Sequence, residues 1–156
     1  MTEETGKDRR RVRGKRREAV AERARRCCEY CRCPEYIGTQ AFSVEHILPR
    51  EQGGTSAMNN LALSCQGCNG HKYTKREAPD PATGSLVPLF HPRQQRWRDH
   101  FSWNEDFTLA LALTPIGPAT EKALRLNREE VVQFRRLLHA AGQHPPPEAR
   151  EQNEQG

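Results

Sequence analysis

Cys28-Glu29-Tyr30-Cys31 and Cys65-Gln66-Gly67-Cys68 are two Cys-x-x-Cys pairs, and between them lie Glu45-His46-Ile47-Leu48-Pro49 and Asn59-Asn60-Leu61. Each pair is a tight turn that aims two thiols and the nearby backbone amides at one point. Two such turns supply the four sulfur ligands of a tetrahedral zinc ion. The 33 residues between the inner cysteines exceed what a compact zinc ribbon uses, so the intervening segment is expected to carry a function of its own. With four protein ligands the zinc keeps no open position for water, which makes it a structural ion. Cys27 and Cys33 fall outside the spacing and read as bystanders, with Cys31-Arg32-Cys33 as the alternative register.

Composition favours metal over disulfides as the staple. The chain has 156 residues, 35% of them hydrophobic, and a mean hydropathy of −0.93. A core that lean is small, and small cores are commonly held by a metal or a disulfide. The start of the chain is charged and lacks the apolar stretch of a signal peptide. The longest apolar run, Leu109-Ala110-Leu111-Ala112-Leu113, is far too short to span a bilayer. A cytoplasmic location is therefore expected, where thiols stay reduced and six cysteines argue for metal ligation.

Charge is concentrated at one end. Residues 1–26 carry eleven Lys/Arg against five acids, although the whole chain is only +5. Such an arm binds polyanions, nucleic acid foremost; its plain alternative is a solubilising tail. The first 13 residues are expected to be disordered. Arg16 to Arg25 is rich in helix formers and predicts a basic helix running into Cys28. Ala41 to His46 alternates as a strand does, Pro49 and Gly53-Gly54 force an irregular loop, and Leu61 to Ser64 reads as a second short strand. A helix is expected from Gln66 to about Lys75. Beyond it, a turn at Asp80–Gly84, strands at Leu86–Phe90 and Phe107–Leu113, and a helix at Glu121–Leu126 are predicted. Asn127, with Glu130 three residues on, has the pattern of a capping box for a last helix that would place Val131, Phe134, Leu137 and Leu138 on one face. Trp97, Phe101 and Trp103 read as core more readily than as platforms for stacking bases.

Taken together, Val44-Glu45-His46-Ile47-Leu48-Pro49-Arg50, Gly53-Gly54, Asn60-Leu61-Ala62-Leu63-Ser64-Cys65 and Cys68-Asn69-Gly70-His71-Lys72 resemble the HNH endonucleases, in their bacterial four-cysteine branch. The likeness extends over residues 25–142. It implies an α+β protein: a ββα-metal core on a structural zinc knuckle, followed by strands and helices. The division expected is a basic arm and helix at 1–26, a nuclease core at 27–78, an α+β extension at 79–142 and a disordered tail at 143–156. The resemblance also implies roles. His46 is the general base that deprotonates the attacking water, a task suited to imidazole. Glu45 binds a catalytic Mg²⁺ or Mn²⁺, and Asn60 holds the His46 ring. Asn69 completes the metal ligands, with His71 as the alternative, three residues after Cys68 and turned toward the zinc. Glu45 stands where Asp is the more familiar residue of this branch, which alters the reach of the carboxylate.

Neighbours on a strand point to opposite faces, so Glu45 and His46 address one centre only if the strand bends there. Arg50 and Lys72 are candidate phosphate contacts. The activity implied is metal-assisted hydrolysis of DNA phosphodiesters, by nicking or double-strand cleavage. The rivals are a zinc-stabilised nucleic-acid-binding module without catalysis and a zinc-knuckle adaptor for another protein.

Overall fold

The computed structural model describes residues 12–148. The first eleven residues of the basic arm and the tail beyond Glu148 lie outside the described residues. The chain is mixed α and β. Its elements are α1 (Gly14–Arg23), β1 (Ser43–His46), β2 (Leu61–Ser64), α2 (Gln66–Lys72), β3 (Glu77–Pro79), β4 (Leu86–Pro88), α3 (Trp97–His100), β5 (Phe101–Trp103), β6 (Ala110–Ala112), α4 (Ile116–Leu124) and α5 (Glu129–Ala140). The strands form three separate two-stranded antiparallel sheets.

The basic helix forms as its composition predicts, and its few apolar residues lie on one side: Val20, Ala21 and Ala24 are fully buried. Arg23 goes inward with them, donating to the carbonyls of Met58 and Leu61 at 2.9 and 2.6 Å. Those carbonyls flank the start of β2, so one guanidinium ties the helix to the hairpin. Burial, reinforced by Arg93, lowers the Arg23 pKa to about 10.

β1 and β2 pair in the register Val44 with Leu63, Glu45 with Ala62 and His46 with Leu61. The first knuckle acts as a partial third strand. The Glu29 amide donates to the Leu63 carbonyl and the Glu29 carboxylate accepts from the Leu63 amide, while the same carboxylate pairs with Arg93 in the interior. α2 follows β2 directly and places the second knuckle opposite the first.

The second half closes over this hairpin. Trp97 stacks on Phe101 and packs against Trp103, and its indole donates to the Tyr30 carbonyl at 2.9 Å. These aromatics are core, and one buried cluster runs from Val20 through both knuckles to Val131.

Several local expectations shift. α4 begins at Ile116, because Pro118 sits in its first turn, where a missing N–H leaves nothing unsatisfied. Asn127 does not cap α5. Its amide bonds both backbone groups of Ala110, and the N-cap position falls to Arg128. The inward face of α5 is Val131, Arg135 and Leu138; Phe134 and Leu137 are exposed. The segment Gln143–Glu148, expected to be part of a disordered tail, folds back onto the protein. Arg32 donates to the Pro147 carbonyl and Arg25 to that of Glu148, both at 2.8 Å. Among the described residues, no helix is long and apolar enough to cross a membrane.

Candidate functional site

The sulfurs of Cys28, Cys31, Cys65 and Cys68 lie within 4.8 Å of one another. Cys31 and Cys65 approach to 3.8 Å, the edge length of about 3.8 Å that a tetrahedron of 2.3 Å Zn–S bonds requires. In each knuckle the amide of the second cysteine points at the sulfur of the first, at 3.5 Å for Cys31 and 3.4 Å for Cys68. Burial and mutual proximity push the Cys28 and Cys68 thiols well above their ordinary value. Four buried thiols crowded this closely ionise together only around a cation, so the donor set fits Zn²⁺. Cys27 and Cys33 stand outside the cluster.

His46 and Glu45 leave the end of β1 on opposite sides. The strand is regular there: Glu45 is buried, and His46 is partly open to solvent. The His46 Nε2 lies 2.9 Å from the Ser56 hydroxyl, which also accepts from Arg50 at 2.6 Å. Arg50 can only donate, so the Ser56 hydroxyl accepts from it and meets the imidazole with its remaining hydrogen or its second lone pair, according to the His46 tautomer. Arg16, from α1, donates to the Ser56 carbonyl at 2.9 Å. Two guanidiniums from distant parts of the chain thus converge beside His46.

Asn60 holds the loop that carries this group. Its side chain accepts from the Leu48 amide at 2.9 Å and donates to the Leu48 and Thr55 carbonyls at 3.0 and 2.7 Å. It grips the backbone on either side of the Gly53-Gly54 turn. The turn is so tight that a Cβ on Gly54 would fall on the Leu48 carbonyl.

Two expectations change because of one ion pair. Lys72 is almost completely buried. Its ammonium lies 3.3 Å from the Glu45 carboxylate and donates to the Ile47 carbonyl at 3.0 Å, so it is unavailable to a phosphate in solvent. The other Glu45 oxygen accepts from the Tyr30 hydroxyl. Burial raises the Glu45 pKa, against the opposing pull of Lys72 and Tyr30. With both oxygens engaged inside the core, Glu45 does not fit a catalytic Mg²⁺ or Mn²⁺ in this conformation.

Asn69 lies three residues before Lys72 and so shares its flank of α2, toward the 45–47 end of β1. Its side chain makes no hydrogen bond among the described residues. Burial and then the Arg128 and Arg125 charges lower the His71 pKa, and His71 stands three residues after Cys68 on α2. Sequence reasoning missed Tyr30, Ser56, Arg16 and Arg128 as members of these two centres. Only Tyr30 and Ser56 lay within the motif-bearing stretch.

No curated protein and no solved structure matches the chain. Residues 28–75 match the family model of the HNH endonucleases, and the four cysteines clustered within that match are consistent with the zinc-knuckle branch of the family.

Proposed function

We propose that the protein is a DNA endonuclease of the HNH type, with β1, β2 and α2 as its ββα core and His46 as the general base. The observation that carries this reading is the placement of His46. It stands at a strand end and partly open to solvent, with its Nε2 against the Ser56 hydroxyl that Arg50 also binds, and with Arg16 on the Ser56 carbonyl. His46 takes a proton from water as the water oxygen bonds to phosphorus. The bond to the leaving oxygen breaks, and that oxygen is protonated from solvent. The Arg50 and Arg16 charges neutralise the crowded phosphorane as it forms. Asn60 keeps the loop, and with it Ser56, at its distance from the imidazole. A catalytic Mg²⁺ or Mn²⁺, which HNH nucleases generally use, would need Glu45 to leave Lys72, with Asn69 as the partner ligand.

The capture of Glu45 by Lys72 and Tyr30 favours a second reading, a zinc-stabilised nucleic-acid-binding module without catalysis. Conversion of supercoiled plasmid to nicked or linear DNA separates the two. On the nuclease reading, wild type cleaves with Mg²⁺ or Mn²⁺, and His46→Ala loses about 10²–10⁴ of the rate while keeping its zinc and fold. Cleavage by His46→Ala at the wild-type rate would refute the assignment. Salt-sensitive DNA binding with no cleavage by wild type supports the binding module.

A further inference from the structure

Arg128 belongs to the second half of the chain, 60 residues beyond Cys68, yet its guanidinium lies on the zinc ligands. One terminal nitrogen donates to the Cys65 sulfur at 3.3 Å and the other to the Cys68 sulfur at 3.5 Å. The second nitrogen shares its two hydrogens between that sulfur and the Arg125 and Leu124 carbonyls at 3.1 and 3.4 Å, and Nε pairs with Glu130 at 3.0 Å. Every nitrogen of the fork is therefore directed, and the side chain is only 11% exposed.

The second knuckle is shaped to receive it. A Cβ on Gly67 would stand 2.5 Å from the nearer terminal nitrogen and 2.9 Å from the central carbon of the guanidinium. Gly67 is the second residue of α2, and alanine is the better helix former of the two. Glycine there leaves room for the arginine.

Zinc bound by four thiolates carries a net charge of −2, and this centre is buried. A guanidinium that hydrogen-bonds two of the four sulfurs draws off part of that charge and covers one edge of the tetrahedron. Removing outer-sphere partners of metal ligands typically costs about 10–100-fold in metal affinity. Arg135 adds a second link from the same helix, donating to the backbone carbonyl of Cys31 at 3.0 Å.

We propose that Arg128 is an outer-sphere member of the zinc centre, a positioning residue that makes zinc retention depend on the entry to α5. This does not rest on nuclease activity. The test follows zinc release from full-length protein to a chromogenic chelator, after zinc content and far-UV circular dichroism have established that each variant is loaded and folded. Arg128→Gln should release zinc at least about tenfold faster, with Arg128→Lys between it and wild type. Gly67→Ala should also release zinc faster, despite its better helix propensity, because the new methyl displaces the guanidinium.

In Co²⁺-substituted protein, loss of the N–H to sulfur bonds should move the thiolate-to-metal charge-transfer band to lower energy in Arg128→Gln and Gly67→Ala. The d–d bands of a tetrahedral site should persist. A residue that merely packs the helix would leave the charge-transfer band in place. Should Arg128→Gln not fold, Gly67→Ala and Arg128→Lys decide the matter. Wild-type release rates with an unmoved band would overturn the proposal.

Discussion

Replacing Lys72 by methionine keeps most of the volume of the side chain and removes its charge, leaving the Glu45 carboxylate in the core with only Tyr30 as partner. The ammonium and carboxylate are 3.3 Å apart, which corresponds to about 5 kcal/mol at an effective dielectric constant of about 20. Breaking a buried pair from one side generally destabilises by about 3–5 kcal/mol, because the survivor is an unpaired buried charge.

The loss should depend on pH in a definite direction. The folded pKa of Glu45 already lies above its ordinary value of 4.5, and removing Lys72 raises it further. A group raised in the folded state contributes its full stability below the unfolded value and loses it as pH climbs through the folded value. The penalty of Lys72→Met is therefore greatest at neutral pH and shrinks on acidification. What remains at low pH is about 1 kcal/mol for the lost bond to the Ile47 carbonyl. Urea denaturation at fixed excess zinc, comparing variant with wild type between about pH 8 and about pH 5.5, measures it, and the subtraction cancels loss of zinc common to both. Glu45→Gln with Lys72→Met should recover most of the deficit. A penalty that is the same at every pH and unrelieved by Glu45→Gln would refute the buried-pair account.

Three further outcomes follow from the geometry. Chelating the zinc should abolish the cooperative unfolding transition of the whole described chain, because the knuckles share one core with α5; near-UV circular dichroism followed by zinc re-addition checks this. Asn60→Ala removes three bonds to the Leu48–Thr55 loop and should destabilise by about 1–3 kcal/mol, with faster hydrogen exchange at the Leu48 and Gly54 amides and slower plasmid cleavage. Phe101→Ala, which empties a position stacked against Trp97, should destabilise by about 3–5 kcal/mol in thermal melts while leaving zinc stoichiometry unchanged.

What could be read from the chain was local. The knuckles announce themselves through spacing, α1 through helix formers, and the β1–β2 hairpin through alternation bounded by Pro49 and Gly53-Gly54. The misreadings have long-range causes. Asn127 has the composition of a cap, but the backbone of Ala110 competes for its amide and wins. Leu137 continues the apolar run from Phe134 but is turned about 120° from Val131 and is exposed, whereas the fully buried Arg135, one turn from Val131, takes the inward position. Glu77–Pro79 is too short and too polar to declare itself a strand without β4 beside it. Lys72 looked like a phosphate contact because nothing in its own neighbourhood reveals that Glu45 lies buried across from it. Arg128 carried no local signal at all, since its partners are cysteines 60 and 63 residues away.

The first knuckle is stitched to the rest of the protein at consecutive residues: Glu29 to Arg93, Tyr30 to Trp97 and Cys31 to Arg135. On the ribosome these contacts become available one after another, and the last must wait for roughly 60 residues beyond the end of the HNH match, about 3–12 s of synthesis at 5–20 residues per second. Through that interval the four thiols are already made but lack their outer contacts from α5. A nascent chain of this design is most exposed to oxidation or to capture of the wrong metal before it leaves the ribosome, and a truncation that spares the entire motif would prolong that exposure indefinitely.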